Sequence, residues 1–371
     1  MFHRISLILL VGFMIFHLSM TKLSFANIIS KNSLVNIEAL NLPKEDIINI
    51  DEELGQNIIV GIPYTFLDSF TESILRMIKP AGIVLYQRNF DSFEQIKDLI
   101  NQLQTISKEE SKCPYFIMLD EEPDGANRMG LLKNIFTLGN PNWAKIERDI
   151  VKLSKIGINV ELAPLADFPF VPNSFISKRL KLESKEDLIA FNKTFISLLN
   201  KYNICATLKH FPGLGLISDD PHYKFIQNVS NKDMIDQSIS IFQYGIESGA
   251  SFVMTCHVIY DALDPNNPAT FSSYIVTDNL RNKLGFEGMV VTDDLSDMPL
   301  SIQGLDLVDA GIQSLKAGHN LIMFSHNLPR TKEIVEGILL EASKDKELLK
   351  IIKSNYIKVT SFKNRYLIKN E

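Results

Sequence analysis

The sequence predicts an α/β protein whose one catalytic domain closes as a (β/α)8 TIM-type barrel. Two observations carry this. Short, continuous apolar runs alternate with stretches of helical apolar spacing eight times along the chain, and ionisable or hydrogen-bonding residues gather where the runs end and not where they begin. Strands that are apolar throughout, as against alternating, are buried on both faces, as in a parallel sheet covered by helices. A chain of 371 residues is long for one globular unit but lies within the range that α/β barrels fill as a single domain.

Residues 1–26 stand apart from this pattern. His3 and Arg4 lead into an apolar run from Ile5 to Met20, and Ser24-Phe25-Ala26 offers small residues at cleavage spacing, so the segment reads as a secretory signal peptide. The run is short for a full membrane span. The expectation is an exported protein, periplasmic or extracellular, with no stable membrane insertion after cleavage. Residues 27–50 form a polar connector, and the barrel occupies 51–371.

The expected strands are Asn57–Ile62, Gly82–Tyr86, Tyr115–Leu119, Ile158–Leu162, Ile204–Leu208, Ser251–Thr255, Met289–Thr292 and Asn320–Phe324. Between them lie helical patterns. Phe93, Ile96, Leu99, Ile100 and Leu103 share one face, and Leu188 to Leu199 repeats the pattern behind a capping signal at Ser184. After Thr331 the apolar positions Ile334, Val335, Ile338 and Leu339 read as closing helices, with no shift in composition that marks a second domain.

Composition narrows the function. The net charge is −6, and it becomes −8 once Arg4 and Lys22 leave with the signal segment, so no basic face remains for nucleic acid. Cys113, Cys205 and Cys256 lie in or beside apolar runs and are expected as buried thiols, not as a disulfide framework. A monomer is expected.

The strand ends carry the candidate chemistry: Arg88 and Asn89, Asp120 with Glu121 and Glu122, Asp167, Lys209 and His210, His257, Asp293 and Asp294, and Ser325 with His326. In a barrel that rim builds the active site. Cleavage of a glycosidic bond needs one group to protonate the leaving oxygen and another to attack the anomeric carbon or activate water. Asp293, at the end of a β-branched strand, has the rigid mount a nucleophile needs, while Asp294 could serve a helix N-cap. Asp220-Pro221-His222 pairs a carboxylate with an imidazole that can donate and then accept a proton, and Gly213 and Gly215 are expected to let that loop move. A lysine at a strand end, Lys209, also keeps open a Schiff-base lyase or aldolase.

Lys209-His210-Phe211-Pro212-Gly213 followed by Asp220-x-His222 resembles the signature loop of glycoside hydrolase family 3, in its β-N-acetylglucosaminidase branch. The segments Pro80 to Asn89, Met254 to Tyr260 with Pro268 to Ser272, and Leu284 to Leu295 are similar to other units of that branch, so the resemblance spans most of the chain after residue 50. The resemblance implies Asp293 as nucleophile, His222 as acid/base and Asp220 as its dyad partner. It implies sugar-binding roles for Asp120, Arg128, Arg179, Lys209 and His210. The implied activity is a retaining β-N-acetylglucosaminidase acting on terminal β-linked N-acetylhexosamine of peptidoglycan fragments or related glycans, with a carbohydrate as substrate and no metal or organic cofactor.

Two departures stand out. The family's Asp-x-Glu-Gly-Gly-Arg becomes Asp120-Glu121-Glu122-Pro123-Asp124-Gly125, and Leu214 replaces a customary histidine. They leave a β-glucosidase of the same family and a sugar-binding relic without turnover as alternatives, and a β-glycoside phosphorylase stays open because a histidine acid/base leaves room for an anionic acceptor that a carboxylate would repel.

Overall fold

Each apolar run forms a strand, and eight strands close on themselves. The computed structural model describes residues 50–137, 140–221, 226–227, 229–296 and 305–368; the expected signal peptide and nearly all of the connector lie outside them. The strands are β1 (Ile58–Gly61), β2 (Gly82–Leu85), β3 (Phe116–Leu119), β4 (Val160–Glu161), β5 (Cys205–Phe211), β6 (Phe252–Thr255), β7 (Met289–Asp294) and β8 (Leu321–Phe324). They pair parallel in the cyclic order β1-β8-β7-β6-β5-β4-β3-β2, the (β/α)8 barrel expected. β5 and β7 run further than expected, so Lys209, His210 and Asp293 lie on strands and not in the loops after them.

Period-two alternation divides each strand between two cores. Ile59, Val84, Phe116, Met118, Val160, Cys205, Phe252, Met254, Val291 and Met323 fill the barrel interior, while Ile58, Val60, Ile83, Ile117, Val253 and Val290 face the helices. At the base of the interior, Phe116 and Phe252 meet edge to face at 5.3 Å, and Phe362 from the C-terminal helix packs against both. Gly82 is small of necessity, since a Cβ there would sit 2.5 Å from the Phe116 carbonyl oxygen.

The outer helices are α1 (Ile50–Gly55), α2 (Ser69–Ile78), α3 (Phe93–Glu110), α4 (Trp143–Ile156), α5 (Lys185–Lys201), α6 (Lys232–Glu247), α7 (Leu307–Ala317), α8 (Leu328–Ala342) and α9 (Lys346–Tyr366), with a π-type helix at Tyr274–Lys283. Their starts are capped as their sequences ask: Asp68, Ser92, Asn142, Ser184, Asn231, Asp306, Asn327 and Asp345 each accept a backbone N–H from the first turn, an interaction worth about 1 kcal/mol apiece. Ile334, Val335, Ile338 and Leu339 are buried along α8, as their spacing requires. The three cysteines are free and buried. Among the described residues no helix is long and apolar enough to cross a membrane.

Candidate active site

The strand periodicity that fills the interior also selects the residues presented above it. Continuing two residues beyond Val84, Met118 and Val291 on the same faces gives Tyr86, Asp120 and Asp293. All three line a cavity of about 380 Å³ at the C-terminal mouth of the barrel, floored by Met254, Met323 and Leu162. The cavity brings together every expected site residue among the described ones: Asp120, Arg128, Arg179, Lys209, His210, Asp220 and Asp293. His222 lies outside the described residues.

Lys209 is the hub of one half. Its Nζ is 2.5 Å from Asp120 Oδ1 and 2.7 Å from Glu122 Oε1, with the side chain almost wholly buried. Burial would pull the ammonium's pKa down, but the two carboxylates outweigh it and raise it above the ordinary lysine value. That opposes the Schiff-base alternative, which requires a neutral amine. Asp120 Oδ2 accepts from Arg128 Nη2 at 3.0 Å, so this carboxylate is held by cations on both sides. Glu122, with no solvent exposure, accepts from Lys209, from both Arg179 Nε and Nη2, and from the Ala126 backbone N–H. Burial alone would raise its pKa, yet Lys209 and Arg179 hold it well below the usual carboxylate range.

His210 belongs to the other half. Asp167, fully buried, accepts from the His210 backbone N–H at 3.0 Å, from its Nδ1 at 2.8 Å and from the Leu214 N–H at 2.7 Å. An acceptor on Nδ1 places the proton there and turns Nε2 to the pocket, 3.9 Å from Asp293 Oδ2. Strict alternation after Cys205 would turn Lys209 inward and His210 outward. Both line the cavity because the β5–β6 ladder shifts register between Leu208 and Phe211.

The adjacent aspartates divide in the same way. Asp293 presents its carboxylate to the cavity, with Oδ1 accepting the Asp294 N–H at 2.8 Å. Asp294 also borders the cavity but is less exposed, and its oxygens are engaged: they accept from Ser296 N and Oγ and from Ser325 N and Oγ, and the His326 Nε2 stands 3.6 Å away. Burial is the main cause that pushes its pKa up. Ser325 Oγ also meets Tyr86 OH at 2.5 Å, which ties β2, β7 and β8 together at the rim.

Several strand-end residues hold loops and do not face the cavity. Glu121 accepts the N–H groups of Met129, Leu131 and Leu132, winding the altered loop around a buried carboxyl whose pKa burial raises. Arg88 donates to the carbonyls of Ile62 and Ser325, and His257 Nδ1 meets Thr270 Oγ1. Gly213 and Gly215, expected as hinges, are buried. A Cβ on Gly215 would fall 1.6 Å from the Phe168 carbonyl oxygen, so this glycine permits a close approach between loops. Glu122, Asp167 and Asp294 are the participants absent from the expected site residues, although each sits at or just after a strand end. Among the described residues no group of three or more His, Cys, Asp or Glu side chains is arranged to hold a metal ion.

The chain is similar to known proteins in sequence and in fold. Residues 49–354 match the glycosyl hydrolase family 3 N-terminal domain. A β-hexosaminidase of Nitrosomonas eutropha is 28% identical over 278 residues, 71% of this chain and 78% of that one. A β-hexosaminidase of Stenotrophomonas maltophilia is 30% identical over 254 residues, 64% of this chain and 74% of that one. Among solved structures, the β-N-acetylhexosaminidase of Beutenbergia cavernae is 25% identical with a TM-score of 0.73, covering 85% of this chain and 98% of that one. The family 3 β-N-acetylglucosaminidase of a Paenibacillus strain is also 25% identical with a TM-score of 0.73; the match covers 86% of this chain but only 64% of that larger protein. With its barrel, its cavity and the match over residues 49–354 in agreement, the chain belongs to glycosyl hydrolase family 3 and is a glycoside hydrolase.

Proposed function

We propose that the protein is a retaining β-N-acetylhexosaminidase that removes terminal β-linked N-acetylhexosamine from peptidoglycan fragments or related glycans. The observation that carries this is the division of the Asp293-Asp294 pair at a sugar-sized cavity, in which the more exposed carboxylate, Asp293, faces the cavity while Asp294 beside it is tied up by hydrogen bonds from Ser296 and Ser325. The names of the relatives above support the N-acetylhexosamine specificity. In the first step a carboxylate oxygen of Asp293 attacks the anomeric carbon, the glycosidic C–O bond breaks, and the departing oxygen takes a proton from the His222 imidazolium. In the second, neutral His222 takes a proton from water, whose oxygen attacks the same carbon and releases Asp293. Asp220 is the partner that favours the charged imidazole. Asp120, Lys209, Arg128, Arg179 and His210 hold the sugar hydroxyls. The chain acts as a monomer, exported after loss of residues 1–26, with residues 27–50 as connector and 51–371 as catalytic domain.

The test is covalent trapping on protein lacking residues 1–26. An N-acetylglucosaminyl fluoride carrying a second fluorine on the ring slows deglycosylation, so the glycosyl mass is expected on the peptide containing Asp293. Turnover of an aryl β-N-acetylglucosaminide with the label on another residue, or persisting in Asp293→Ala, would remove the nucleophile assignment. Preference for an aryl β-glucoside, or acceleration by phosphate, would replace the substrate or the acceptor.

A further inference from the structure

We infer that Tyr86 imposes a polarity on the bound sugar: its phenol oxygen offers the catalytic cavity lone pairs and no proton, and so requires a hydrogen-bond donor, a hydroxyl or an amide N–H, at one position of the glycone. The inference rests on a sugar filling that cavity but not on which sugar it is.

The direction of the hydrogen bonds is fixed from their far end. Asp294 Oδ1 accepts from Ser296 N and Oγ, and its Oδ2 accepts from Ser325 N and Oγ. Four donors on two oxygens suit a carboxylate, which can only accept. Burial lifts the pKa of Asp294, and the serine donors pull the other way. The Ser325 hydroxyl has one proton, and Asp294 takes it. Ser325 Oγ is then left to accept, so in its 2.5 Å contact with Tyr86 OH the phenol is the donor. The phenol's single proton is committed in turn. Burial first, and then the charge of Asp294, raise the pKa of Tyr86, which keeps that proton in place.

The ring is held so that it cannot turn this acceptor away. The Arg88 guanidinium lies 4.3 Å from the centre of the Tyr86 ring and that of Arg128 lies 5.4 Å from it, and Arg88 is itself tied to the carbonyls of Ile62 and Ser325. Tyr86 lines the cavity, and among the described residues its phenol oxygen meets no hydrogen-bond partner besides Ser325, so its remaining lone pair is left for what fills the cavity. The cations of the wall do not make the same distinction. Lys209, Arg128 and Arg179 are donors, which a hydroxyl and an ether oxygen satisfy alike. Tyr86 is satisfied by the hydroxyl alone.

The experiment takes aryl β-glycosides of the accepted sugar and silences one donor at a time in two ways. Each ring hydroxyl is replaced by hydrogen or by fluorine, and an amide nitrogen by CH2 or by oxygen. The first of each pair vacates the position; the second sets lone pairs against the phenol. Values of kcat/KM are compared for the wild type, Tyr86→Phe and Ser325→Ala. Inductive effects on the reacting carbon are common to the three enzymes and cancel. At one position the wild type is expected to lose about tenfold for the vacated analogue, and that penalty is absent from Tyr86→Phe. Ser325→Ala releases the phenol proton to turn towards the sugar, so there the lone-pair analogue gains severalfold on its vacated partner. Each value is a ratio within one enzyme, so a smaller folded fraction does not imitate the result. Penalties that are the same in the wild type and Tyr86→Phe at every position, or a Ser325→Ala enzyme that leaves the pair unchanged, overturn the inference. If N-acetylglucosaminides fail while another glycoside turns over, the proposed substrate is wrong, and the same panel built on that sugar still tests Tyr86.

Discussion

Glu122 is a carboxylate with no solvent exposure between two cations, and the cations are the groups expected to hold sugar hydroxyls. Removing one partner of such a buried pair leaves the others uncompensated, typically at a cost of about 3–5 kcal/mol. Glu122→Gln keeps the shape but takes away the charge that helps raise Lys209. The expected result is a loss in kcat/KM of at least about tenfold. The loss should fall mainly on KM, because the Lys209 ammonium and the Arg179 guanidinium, expected to hold the sugar hydroxyls, lose the anion that fixes them both. A variant with reduced kcat and an unchanged KM would make Glu122 a matter of folding alone. Residue by residue, the sequence discloses part of this. Alternation after Met118 and Val291 turns Asp120 and Asp293 inward, but it gives no notice that His210 joins Lys209, because a register shift in one ladder is set by the neighbouring strand.

At the scale of elements, the first residues after β5, Pro212 to Ile217, are buried where their glycines had implied motion. Glycine in a sequence signals either conformational freedom or close approach, and only the neighbour it meets distinguishes the two. For Gly215 the neighbour is the backbone of Phe168, next to Asp167, the residue that orients His210. Gly215→Ala must therefore push the two loops apart, at a cost of roughly 1–3 kcal/mol, and should lower kcat through His210 as well as the melting temperature. Gly285→Ala is the matched control: its backbone is left-handed at φ 66° but nothing lies within 4 Å, so about 1 kcal/mol of stability is lost and kcat holds. Equal effects of both variants on kcat would disconnect the Phe168 contact from His210. The strands themselves were legible because burial on both faces leaves continuous apolar runs. β4 is the weakest case: the run from Ile158 to Leu162 yields only the two-residue strand Val160–Glu161.

At the scale of the whole molecule, the chain must close the base of the barrel, and α9 does this with Phe362 beneath Phe116 and Phe252. The next residue, Lys363, is carried in with it. Its Nζ donates to the neutral amide oxygen of Gln56 at 2.6 Å and lies 4.9 Å from the Phe116 ring centre. Burial lowers its pKa from the ordinary 10.5 to about 7. Below pH 7 the folded and unfolded chains both hold this proton, and the full cost of burying an ammonium is present. Between about 7 and 10.5 the unfolded chain keeps the proton and the folded one sheds it, so the contribution of Lys363 to stability rises with pH by up to a few kcal/mol. Lys363→Met fills the same space without a titrating group. Chemical denaturation of both proteins across this range should therefore show the wild type gaining on the variant as pH climbs from 7 towards 10.5. A stability difference that stays flat would mean that the ammonium keeps its proton in the folded barrel, held by Gln56 and the Phe116 ring.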